Sequence, residues 1–119
     1  MAKEQSIIQK KSFEFALSVI ELYRQLIAQN EYVLSKQLLR SGTSIGANVE
    51  EASAGQSKKD FIAKMSIASK EAREALYWLK LLQESNITNI DCSTQLKQCV
   101  DVINILTAIV KTSQQNLNS

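Results

Sequence analysis

No proline interrupts this chain of 119 residues, and apolar side chains recur along it at steps of three and four. Together these features leave few folds open. A proline-free segment can run as a long helix without a kink or a lost hydrogen bond. A period of 3.6 gathers its apolar residues on one face. Only three glycines are present, too little turn chemistry for a sandwich or barrel of short hairpins. The composition, 45% apolar and 22% charged, is that of a globular domain rather than a disordered segment. The length suits one domain over 1–119.

The pattern predicts an all-α fold, an antiparallel up-down-up-down four-helix bundle, with helices over 6–28, 31–54, 58–84 and 92–112. In the first, Phe13, Ala16, Leu17, Ile20, Tyr23 and Ile27 are the expected core stripe, and Gln29-Asn30 is the expected stop. In the second, Leu34, Leu38, Gly42, Ile45, Val49 and Ala52 continue the pattern across Gly42 and Gly46. Each interior glycine costs about 1 kcal/mol against alanine, so both are expected where a neighbouring backbone comes close. A true break at 41–44 is the alternative. Gly55 suits a left-handed C-terminal cap, and Ser57 suits the next N-cap. The third helix has the cleanest seam, Phe61, Met65, Ala68, Ala72, Ala75, Leu79 and Leu82. Asp91 or Ser93 should cap the fourth helix, with a stripe of Leu96, Val100, Ile103, Thr107 and Val110 and a fraying tail from Lys111.

A second set of apolar residues lies away from these stripes. It comprises Phe15, Val19, Leu22 and Leu26 on the first helix, Ile67, Trp78 and Leu81 on the third, and Val102, Ile105 and Ile109 on the fourth. One stripe per helix is enough for a monomeric bundle, and monomers rarely expose large apolar patches. These ten residues are therefore the expected interface of a homo-oligomer, with a wide core in a monomer or a partner protein as the alternatives.

Catalytic chemistry finds little support. There is no histidine, which removes the commonest general base and transition-metal ligand. Ser66 with Lys70 is read as two exposed residues one turn apart. Glu71 and Glu74 are read as a surface ion-pair cluster rather than metal ligands. The segment from Gly42 to Gly46 lacks the lysine ending of a phosphate loop. No catalytic residue, metal ligand or cofactor is expected. Cys92 and Cys99, about 10 Å apart along one helix, are too distant for a disulfide and read as reduced thiols of a cytoplasmic protein. The first residues predict no signal peptide, and no apolar run reaches membrane-spanning length.

The formal net charge is +2. A solvated helix face is the first reading of the chain's basic residues; in the other reading, Arg40, Lys58, Lys59, Arg73 and Lys80 are the candidates for contact with nucleic-acid phosphates.

Residues 40–52, RSGTSIGANVEEA, resemble a signature of the 23S rRNA-intervening-sequence proteins. The same holds for Phe61-Ile62-x-Lys64-Met65-Ser66-Ile67-Ala68-x-Lys70-Glu71-Ala72-x-Glu74, with Tyr77-Trp78-Leu79 after it. That family is also described as ribosomal-protein-like and is related to the accessory variability determinant of diversity-generating retroelements. The resemblance implies a four-helix bundle, a homopentameric assembly and no known enzymatic activity. It also gives Gly42 and Gly46 the role of close helix packing. The expected function is a non-catalytic, self-assembling bundle that binds RNA or a nucleoprotein, with no membrane partner. The alternative is a structural or protein-partner adaptor that binds no nucleic acid.

Overall fold

A computed structural model describes residues 6–55 and 57–118, apart from the side chain of Asn118. It contains α1 (Ile7–Ala28), α2 (Leu34–Ser53), α3 (Lys58–Glu84) and α4 (Ser93–Asn118), with no strand among the described residues. Each helix packs on its sequence neighbours, and α1 also meets α4, which closes a four-helix bundle. The most extensive pairing is α2 with α3 and the least is α1 with α4.

Local chemistry sets the helix ends. Ser6 opens α1 in a capping box. Its hydroxyl accepts the Gln9 N–H at 3.2 Å while the Gln9 side chain accepts the Ser6 N–H at 2.9 Å. α1 closes at Gln29-Asn30 in a Schellman motif. Asn30, with φ 65°, donates to Ile27, and the Glu31 N–H reaches Leu26.

Helix α2 begins at Leu34, three residues later than predicted, because Glu31 serves as its cap instead of its first residue. The Glu31 carboxylate accepts the backbone N–H groups of Val33, Leu34 and Ser35 at 3.0, 3.0 and 2.6 Å. The Ser35 hydroxyl donates back to the Glu31 carbonyl at 2.6 Å. Burial pushes this carboxyl upward, but the hydrogen bonds from Ser35, Leu34 and Val33 outweigh it and hold the pKa below its ordinary value.

The serine- and glycine-containing stretch of α2 is continuous helix, not a break. Ser41, Thr43 and Ser44 donate their hydroxyls to the carbonyls of Gln37, Leu39 and Arg40, one turn back. Gly42 is buried against the Val19 side chain of α1, not against a neighbouring backbone. Gly46 faces the backbone and hydroxyl of Ser12 at ordinary contact distance. Gly55 does not adopt a positive φ. A Cβ there would instead lie 3.0 Å from the Ala52 carbonyl oxygen, a tight contact that glycine avoids.

Helix α3 buries the predicted seam from Met65 to Leu82, with Phe61 packed at its edge. Three alanines in that seam, Ala68, Ala72 and Ala75, let the larger side chains of α1, α2 and α4 reach the centre.

On α1 the two stripes are exchanged. Phe15, Val19, Leu22 and Leu26 are fully buried, whereas Phe13 and Leu17 are 60% and 53% exposed. Both stripes have helical period, so period could not choose between them. Packing does: the buried set is wholly apolar, while the other includes a small alanine and the Tyr23 hydroxyl, which would need a buried partner. Phe15, Val19, Leu22 and Leu26 therefore cannot face a second subunit. The same correction applies to Val102, buried in α4 beside Cys92, Cys99, Ile103 and Leu106. Val100 and Thr107, expected in that core, are exposed. The tail expected to fray continues as helix to Asn118, with Ser113 and Asn116 beside Lys58 and Phe61 of α3. Of the remaining expected interface residues, Ile67 is exposed, and Trp78, Leu81, Ile105 and Ile109 are half-buried. Trp78, Ile105 and Ile109 pack against the core.

Candidate functional surfaces

Polar contacts concentrate between α2 and α3. The Arg40 guanidinium donates to Glu71 at 3.3 Å and to the Glu74 carboxylate. Glu74 also accepts the Trp78 indole N–H at 2.9 Å. That bond from Trp78, ahead of the contact with Arg40 and against a desolvation effect, lowers the Glu74 pKa. The bond to Glu74 raises that of Arg40. Tyr77 meets Trp78 edge-on, with ring centroids 5.2 Å apart. About two turns earlier on α3, Lys64 pairs with Glu51 of α2 at 2.8 Å. Sequence spacing alone could expose the Glu74–Trp78 contact, since i and i+4 share a helix face. The Arg40 contact is long-range and leaves no such local signal.

The five basic residues proposed for phosphates are not brought together. Arg40 is held by carboxylates of its own chain. Lys58 lies in a recess with Phe61, Ser113 and Asn116 at the start of α3. Lys80 lies at the other end, beside Tyr77, Leu81 and Glu84. Arg73 lies between them and donates to the Thr107 hydroxyl of α4 at 3.1 Å. Lys59, Arg73 and Lys80 are separated by multiples of seven residues. They follow one side of α3 over about 31 Å, a dispersed row rather than a cluster.

The outer face of α1 is the largest departure from sequence expectation. Phe13, Ala16 and Ile20 border a groove of about 280 Å³ with Thr43, Gly46 and Ala47 of α2. Leu17 stands exposed on the same helix. Among the described residues, no group of three or more histidine, cysteine, aspartate or glutamate side chains is placed to hold a metal ion. None of the helices is long and apolar enough to cross a membrane.

The model of the 23S rRNA-intervening sequence protein family matches residues 4–108. The chain belongs to this family. A solved structure from Bacteroides thetaiotaomicron, a protein of unknown function from the S23 ribosomal protein family, is 45% identical. It superposes with a TM-score of 0.83, covering 88% of this chain and 99% of that one. A comparison with curated proteins finds no match. In this member of the intervening-sequence family, the match takes in both long motifs, and the structure joins them. Arg40 opens the first, and its partners Glu71 and Glu74 lie in the second.

Proposed function

We propose that this protein is a non-catalytic helical bundle that assembles with copies of itself, as a pentamer by resemblance to its family, and that the assembly binds RNA or a nucleoprotein. The exposed apolar face of α1 carries the self-assembly reading. Phe13 and Leu17 present large side chains to solvent on a helix that already buries a complete stripe on its other side. Ile20 and Ala16 extend the same face toward α2. The row of Lys59, Arg73 and Lys80 supports the nucleic-acid reading, because an oligomer repeats it around the assembly. Two free, buried thiols fit a reducing compartment such as the cytoplasm.

RNA binding of this kind weakens as salt rises, through counterion release. An electrophoretic shift with structured and single-stranded RNA at low ionic strength, lost at high salt, is the expected result. No shift with either RNA at low salt contradicts the nucleic-acid part. It favours the second reading, an adaptor for a protein partner. One observation supports that alternative: the Arg40 charge is spent within the chain on Glu71 and Glu74.

A further inference from the structure

The geometry points to a phosphate-binding groove between α3 and α4. The groove has a volume of about 300 Å³, at the lower end for a small-ligand site. One wall carries Ser66, Ser69 and Arg73 of α3; the other carries Thr107, Lys111 and Gln114 of α4. Val110 completes the lining. Two cations and four neutral hydrogen-bonding side chains therefore converge without a carboxylate.

Three arrangements make this more than a chance pairing of basic residues. The acidic groups nearest Arg73 in sequence, Glu71 and Glu74, are turned toward α2 and held there by Arg40. On the facing helix, no acidic residue occurs from Val102 to Asn118. Among the described residues, neither Arg73 nor Lys111 has a carboxylate partner within salt-bridge distance. The positive charge in the groove is therefore uncompensated.

The Arg73 guanidinium also reaches across to the other wall. It gives one N–H to the Thr107 hydroxyl at 3.1 Å and keeps the rest of its donor fork. Finally, the serines differ from those of α2. Ser41, Ser44 and Ser53 spend their hydroxyls on carbonyls of their own helix. Ser66 and Ser69 make no such bond among the described residues.

A phosphate ester suits this donor set better than a carboxylate does. Its tetrahedral oxygens accept from both walls at once, and arginine can donate to two of them in parallel. The inference goes beyond the RNA reading and does not depend on it, since a free phosphate ester would satisfy the same groups.

The test uses the full chain at constant ionic strength, titrated with inorganic phosphate, a nucleoside 5′-monophosphate and a short single-stranded RNA. Three variants are compared with wild type: R73Q/K111Q, S66A/S69A, and K36Q/K97Q, which removes equal charge elsewhere. Circular dichroism checks that helicity is kept. Phosphate and monophosphate binding should weaken at least about tenfold in both groove variants and change less than about twofold in the control. RNA affinity that falls in parallel makes the phosphodiester backbone the source. Monophosphate binding without RNA binding makes it a free ester; that outcome keeps the groove and sinks the RNA reading. Absence of phosphate and monophosphate binding by wild type, or equal losses in groove and control variants, overturns the groove, whereas RNA binding that persists in R73Q/K111Q would leave the RNA reading standing.

Discussion

The two methyl groups of Val19 lie 2.9 and 3.0 Å from the position a Cβ on Gly42 would occupy. A β-branched side chain is stiff about χ1, so Val19 cannot swing aside. Gly42→Ala should therefore destabilise the fold by about 1–3 kcal/mol through overpacking, despite the better helix propensity of alanine. A Cβ on Gly46 would come no closer than 3.5 Å to the facing helix, at the Ser12 hydroxyl. There propensity decides, and Gly46→Ala should stabilise by up to about 1 kcal/mol. Chemical denaturation of the two variants checks the difference in sign. Val19→Ala in the G42A background should recover part of the loss.

Glu31 and α2 supply a pH-dependent contribution. A carboxyl whose folded pKa is lowered binds fewer protons in the native state than in the unfolded one. Its stabilising effect is present above its ordinary pKa, near 4.5, and is lost as pH falls through the folded value. Glu31→Gln should flatten the acid limb of the stability profile below about pH 4.5. Glu31→Ala should cost about 1–2 kcal/mol at neutral pH by removing the cap from three backbone N–H groups. Urea melts at several pH values measure both.

Arg40 is half-exposed, so the loss of its ion pairs alone is modest. Arg40→Gln should cost no more than about 1 kcal/mol. Arg40→Glu places a third carboxylate beside Glu71 and Glu74 and should cost more. It should also shift Trp78 fluorescence, because Glu74 holds the indole N–H. Partial recovery in R40E/E74R would show that charge complementarity, not the arginine stem, joins α2 to α3.

The cysteines should be silent in the native state. Cys92 and Cys99 are both buried. Burial pushes the Cys99 thiol up to about 12, and burial followed by the nearby Asp91 charge raises Cys92. A thiol-specific reagent at about pH 8 should label neither in native protein and both after unfolding, since the thiolate is the reactive form.

The fold was legible where one stripe of a helix was continuous and clearly longer than any other. The α3 seam from Met65 to Leu82 follows directly from its spacing, as does the α2 stripe. It was not legible on α1, where two apolar stripes share the period and only shape and hydroxyl content separate them. The caps divide the same way. Ser6 and Ser57 act within three residues and can be read locally, whereas Glu31 reads as a helical residue until its carboxylate is seen turned onto α2. Surface chemistry was least accessible. Arg40 looks like any exposed cation in the sequence, and its partners lie 31 and 34 residues away.

Reversal of the α1 stripes moves the expected contact face from Phe15, Val19, Leu22 and Leu26 to Phe13 and Leu17. The most direct test is the solution mass by size-exclusion chromatography with light scattering, for wild type and F13E/L17E. Wild type at micromolar concentration should give a mass several times 13.3 kDa, with five copies the expected number. The variant should fall to a single chain with its helicity intact. A wild-type particle of 13.3 kDa would contradict self-assembly.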